Sequence, residues 1–151
     1  MRALRIAALS FLLVTLVSPS SVLILGAMAQ NSPELSFDAA SIHKWESGQG
    51  PSGAYQAGLQ FSTGRIRSQC VSLKALISYA YRLTGSEPLE GLPKWGAAGC
   101  GPDSAGTFAI DVIMPANTTQ AQARQMMQTL LAERFKLVAH WETRKMQAYT
   151  H

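Results

Sequence analysis

At 151 residues and a formal charge of +4, the chain is long enough for one domain with its own core, without metal or many cross-links. Arg2 and Arg5 lie in an N-terminal segment with no acid before Glu34, so the rest of the chain, with 11 basic and 9 acidic side chains, is nearly neutral. That balance, with no recognised binding motif, gives no support to a nucleic-acid partner.

The N-terminus reads as a secretory leader. Arg2 and Arg5 form its basic part, and Ile6 to Val17 is an apolar run of twelve residues. Ser18-Pro19-Ser20-Ser21 interrupts the run, Val22 to Leu25 resumes it, and Ala27-Met28-Ala29 places small residues where signal peptidase reads them. A signal peptide over residues 1–29, cut before Gln30, is therefore expected, with 30–151 as the mature domain. If the leader were kept, the 24 residues from Ile6 to Ala29 would be long enough for a membrane anchor. The membrane is thus expected to matter only through an uncleaved leader, and the location is periplasmic or extracellular. In an oxidising compartment Cys70 and Cys100 are expected to pair, closing a loop of roughly 30 residues.

Phe37 to Lys44 reads as a first strand, followed by a glycine-rich loop from Trp45 to Gly58. Leu59 to Ser62 and Arg65 to Cys70 flank Thr63-Gly64, a hairpin signal. Ser72 is placed to cap a helix whose apolar residues Leu73, Leu76, Ile77, Ala80 and Tyr81 recur at spacings of three and four, with Gly85 as its stop. Ser86 to Gly106 is loop-rich, and Leu89, Leu92 and Trp95 within it are expected to fold back over the core. Thr107 to Met114 is a strand ended by Pro115, with Phe108, Ile110 and Val112 on one face and Asp111 on the other. Asn117 to Thr119 offers caps for a second helix, about Gln120 to Arg134, with Ala123, Met127, Leu130 and Leu131 as its stripe and Met126 beside it. Phe135, Leu137, Ala139 and Trp141 alternate as in a half-buried strand. A turn over Glu142 to Lys145 and a further strand from Met146 complete the pattern, which breaks off at His151. The fold class predicted is α+β, a mostly antiparallel sheet with two helices on one face, in a single small domain.

Four segments together carry a resemblance: FDAASIHK from Phe37, RIRSQCVSLKALISYAY from Arg65, TFAIDVIMP from Thr107, and above all MMQTLLAERFKLVAHWETRKMQAY from Met126. They resemble the soil-associated domain of unknown function found in exported proteins of soil bacteria, over a core of about residues 36–149. The resemblance implies export and carries no activity, cofactor or catalytic residue. Members typically continue beyond the last strand, so the chain is expected to be cut short, leaving a sheet edge exposed. The segment GLPKWGAAGCG, from Gly91, departs from the usual G-G-P-x-W pattern.

Few residues carry chemistry. Gly48 to Gly53 matches G-x-G-x-x-G only formally, because a hairpin rather than a helix follows and no acid occurs between Glu46 and Glu87. His140 and Glu142 share one face of a strand and are the candidate general base or start of a metal site, with His43 or Asp111 as a third group. Their bland reading is the solvated side of an amphipathic strand, with Lys136. Arg134 suits the C-terminal end of the second helix and is a partner for Glu133 or Asp111. Arg65, Arg67, Lys74 and Arg82 form an acid-free stretch able to face an anionic glycan or lipid head group. Trp45, Tyr55 and Trp95 stand in glycine-rich loops, as ligand-stacking aromatics or as lids on the core. The sequence has no serine nucleophile elbow, C-x-x-C pair or zinc-ligand spacing, so no cofactor and no metal are expected. The reading that follows is a non-enzymatic binding or interaction module of the bacterial envelope, with an envelope protein or glycan as partner; the alternative is an envelope hydrolase working on a glycan or peptide through His140 and Glu142.

Overall fold

A computed structural model of the chain describes residues 2–8, 35–46, 57–85, 87–100 and 106–143. Seven strands and two helices follow in the order β1 (Arg2–Ala8), β2 (Ala39–Lys44), β3 (Gln60–Ser62), β4 (Arg65–Ser72), α1 (Leu73–Tyr81), β5 (Leu89–Glu90), β6 (Thr107–Ile113), α2 (Gln120–Phe135) and β7 (Val138–Thr143), with a 3₁₀ turn at Lys94–Ala97. The α+β class and the mostly antiparallel pairing are as expected. The strands fall into two sheets, ordered β5-β1-β7 and β2-β6-β4-β3, and among these strands only β1 and β5 pair in parallel.

The four-stranded sheet is built on the predicted hairpin. Ser62 pairs with Arg65 around Thr63-Gly64, and Gly64 takes φ +70°, which glycine adopts without steric cost. A Cβ there would also lie 2.9 Å from the Met114 carbonyl. The β4–β6 register shifts between Ser68 and Val71, so the simple alternation of β4 breaks and both Cys70 and Val71 are buried.

Ser72 caps α1 as predicted, its Oγ accepting the Ala75 N–H at 3.2 Å. The stop falls earlier than Gly85. Arg82 adopts the left-handed conformation (φ 56°), the Leu83 N–H returns to the Ser78 carbonyl at 2.9 Å, and Glu87 accepts from the Thr84 N–H. That closure lets Leu83 pack on the core, which offsets the strain of a non-glycine residue at Arg82. Helix α2 opens with a capping box in which Thr119 Oγ accepts from the Gln122 N–H and Gln122 Oε1 from the Thr119 N–H. It runs one residue past Arg134. Phe135, read from the sequence as the first residue of the alternating strand, is the last helical residue, and Lys136 turns the chain at φ 53°. The next strand is correspondingly shifted: Leu137 is buried, whereas Trp141 is 47% exposed. Glu142 and Thr143 extend β7 where a turn was expected, and the strand expected from Met146 lies outside the described residues.

The two helices pack against each other, and Gln128 Nε2 donates to the Ala80 carbonyl at the end of α1. Leu73, Leu76, Ile77 and Ala80 of α1 and Ala123, Met127, Leu130 and Leu131 of α2 join Ile66, Ile110 and Val112 of the sheet in one core. That core also contains Leu4 and Ile6, which are 0% and 8% exposed. The start of the segment read as a leader is therefore the middle strand of the three-stranded sheet in the intact chain. The remainder of that segment, including the Ser18 to Ser21 break and the Ala27 to Ala29 motif, lies outside the described residues. Among the described residues no helix is long and apolar enough to cross a membrane.

Candidate functional site

An open, mainly apolar cavity of about 680 Å³ lies where β2, β6, the 3₁₀ turn and the end of α2 meet. Its wall is aromatic. Trp95 and Phe108 stand edge to face at 6.5 Å between centroids, and Phe108 and Phe135 at 5.0 Å. Such T-shaped stacking sets the positive edge of one ring against the face of the next, and fixes the wall without filling the space. Ile42 completes the apolar lining, and the charged lining residues are Lys44 and Arg134. Among the described residues that line it there is no carboxylate, histidine, serine or cysteine.

Local sequence explains how the wall is held. Gly106 has φ +98°, and a Cβ there would collide with the Trp95 carbonyl and ring, so glycine is what lets the Trp95 segment seat against β6. The segment is tied from the other side by a disulfide: Cys70, fully buried in β4, is bonded to Cys100, five residues beyond Trp95. The expected pairing is therefore present, and it joins the sheet to the loop that carries the cavity's tryptophan. Trp95 is 40% exposed, whereas Trp45 is buried. Tyr55, like the formal G-x-G-x-x-G run, lies outside the described residues.

A second, polar depression of about 260 Å³ lies on the four-stranded sheet, lined by Ser41, His43, Gln60, Arg67, Gln69 and Asp111 among others. Ser41 Oγ and His43 Nε2 are 2.7 Å apart. Asp111 is engaged elsewhere: it accepts from Arg65 Nε at 2.7 Å and Nη2 at 2.5 Å, and Arg67 Nε lies 3.3 Å away. The acid-free stretch of the sequence thus meets its acid across the β4–β6 ladder, where Arg67 is opposite Asp111. Of the two acids open to Arg134, Asp111 is taken by Arg65 and Arg67, and Arg134 lines the aromatic cavity.

The Arg65 hydrogen bond first, and then the nearby guanidinium charges, hold the Asp111 carboxyl below the usual carboxylate range. A depressed folded-state pKa contributes stability that is present above the unfolded value, about 3.9, and lost as pH falls through the folded value. Asp111→Asn should therefore flatten the pH dependence of the urea midpoint below about pH 4 and leave its slope above pH 5 unchanged. A parallel acid slope in both proteins would remove this assignment.

His140 is exposed on β7, and the Glu142 carboxylate is 3.4 Å from Arg5 Nη1. The two sit on the three-stranded sheet, whereas His43 and Asp111 belong to the four-stranded one. Among the described residues no group of three or more histidine, cysteine, aspartate or glutamate side chains gathers as a metal site would require.

The structure is that of a small, disulfide-bonded α+β domain with an aromatic, cation-rimmed cavity. A family model described as protein of unknown function (DUF3738) matches residues 74–150, and the chain belongs to that family. Comparison with curated proteins finds no significant match, and comparison with solved structures finds none either.

Proposed function

We propose that this chain is an exported binding module of the bacterial envelope whose ligand is an apolar anion, such as a fatty or arylalkyl carboxylate. The observation that carries the reading is the cavity itself: an aromatic and aliphatic wall with Lys44 and Arg134 as its charged members. Its size falls in the range of small-molecule sites, which combine apolar walls with a few placed polar groups. Two cations, with no carboxylate among the described lining residues, favour an anionic head group, and the apolar wall favours a hydrocarbon or aromatic tail. Binding rather than turnover is supported by the described lining residues, which bring cations and rings but, among themselves, no nucleophile and no general acid–base pair. Export is supported by the order of the leader, and the Cys70–Cys100 bond is compatible with it.

Decanoate, kept below its micellar concentration, is the probe. Saturable binding that shifts tryptophan emission is expected, with Trp95→Ala weakening it at least about tenfold, roughly the loss of one aromatic wall contact. Absence of saturable binding to the native chain, or full retention by Trp95→Ala, would refute the proposal.

A further inference from the structure

We propose that the slot between β5 and β7 is a strand-acceptor site for a partner protein, taking an extended segment with a basic residue between two apolar ones. That segment would run antiparallel to β7 and replace Arg2–Ala8 once the leader has been removed. The inference rests on the export reading for the removal of Arg2–Ala8, but not on the cavity.

The occupant present in the intact chain defines what the slot accepts. β1 is the hydrogen-bonded neighbour of both β5 and β7, so the three-stranded sheet is held together through it. Its Leu4 pairs with Leu89 on one side and with Trp141 on the other, and the Leu4 N–H donates to the Pro88 carbonyl at 3.1 Å. Leu4 and Ile6 enter the core, whereas Arg5 faces outward. Arg5 lies opposite Glu90 in the parallel register and forms an ion pair with Glu142 on the antiparallel side. The basic position is therefore paired with one carboxylate, Glu142, and stands in register with a second acidic residue, Glu90. Gly91 adds a backbone requirement: at φ +78°, a Cβ on it would lie 2.6 Å from the Ile6 carbonyl, so glycine makes room for the backbone of a strand in the slot.

Strand addition of this kind draws affinity from main-chain hydrogen bonds and specificity from the alternate side chains. The bonds do not require the donor to belong to the same chain. Loss of the leader would leave the β5 and β7 edges and the Leu4 and Ile6 sites to be filled by another segment. A second copy is the less suitable donor, because no other described strand sets an arginine or lysine between two apolar residues. Its one matching strand would be the segment removed with its own leader.

The test uses the full chain with a protease site inserted between Ser20 and Ser21, folded with the disulfide formed and then cut. A fluorescent peptide of sequence Arg2–Ala8 is expected to exchange into the cut protein and saturate. The peptide carrying Leu4→Asp and Ile6→Asp should bind about 100-fold more weakly, having lost both apolar anchors. An Arg5→Glu peptide should bind several-fold more weakly at low salt, with the gap closing as salt is raised. Decanoate binding, followed on the same cut protein, separates a failure of the slot from a failure of the cavity. Equal uptake of all three peptides would overturn the proposal, as would no uptake at all. So would loss of cooperative unfolding after the cut, which would make β1 inseparable from the fold, or dimerisation of the cut chain in place of peptide uptake, which would make a second copy the occupant.

Discussion

Reduction of the Cys70–Cys100 bond is expected to lower the unfolding free energy by about 3–4 kcal/mol. The bond spans 30 residues, and closing a loop of that length removes this much chain entropy from the unfolded state. For a domain whose whole stability is about 5–15 kcal/mol, such a loss brings unfolding much closer to ambient conditions. The expected consequence extends to the cavity, because the bond anchors the segment that carries Trp95 to the buried end of β4. Urea unfolding of the native protein and of the Cys70→Ser, Cys100→Ser double variant measures the first effect, and decanoate binding below the unfolding transition measures the second. Coincident urea midpoints would show that the loop is held by other contacts.

Leu4→Ala in the intact chain should cost about 2–5 kcal/mol, the range for truncating a buried leucine whose surroundings relax only in part. Leu4 is fully buried and packs with both helices and both sheets in one core, so little room exists for collapse without disturbing neighbours. Arg2→Ala, an exposed change on the same strand, should stay within about 0.5 kcal/mol. The paired comparison distinguishes loss of a core strand from a general effect of altering the N-terminus. An unchanged urea midpoint for Leu4→Ala would mean that β1 contributes nothing to the folded domain.

The helices were legible because their information is local. The spacing of Leu73, Leu76, Ile77 and Ala80, the Ser72 cap and the Thr119–Gln122 box are each decided within a few residues. Their C-terminal ends were misplaced for the opposite reason: Arg82 and Lys136 turn left-handed because Leu83 and Leu137 return to a core formed by distant segments. The cavity was illegible on the same grounds. Ile42, Phe108 and Phe135 come from three elements, and only the β2–β6 register and the end of α2 bring them together. Trp95 stands out by its glycine-rich loop, but that signal does not separate it from Trp45, which is buried away from the cavity lining. Arg65 and Asp111 are 46 residues apart, so their pairing could be known only from the β4–β6 ladder. The strand character of Arg2–Ala8 was hidden because the alternation of Leu4 and Ile6 merges into a longer apolar run.

The central claim is that the cavity selects an apolar anion. Decanoate and decylammonium share a tail and differ in head-group charge, so their affinities for the native protein and for Arg134→Glu test it most directly. The expected result is that decanoate binds at least about tenfold more tightly than decylammonium to the native protein, and that Arg134→Glu reverses or abolishes the preference. Equal affinity for the two ligands, or a preference untouched by Arg134→Glu, would contradict the assignment.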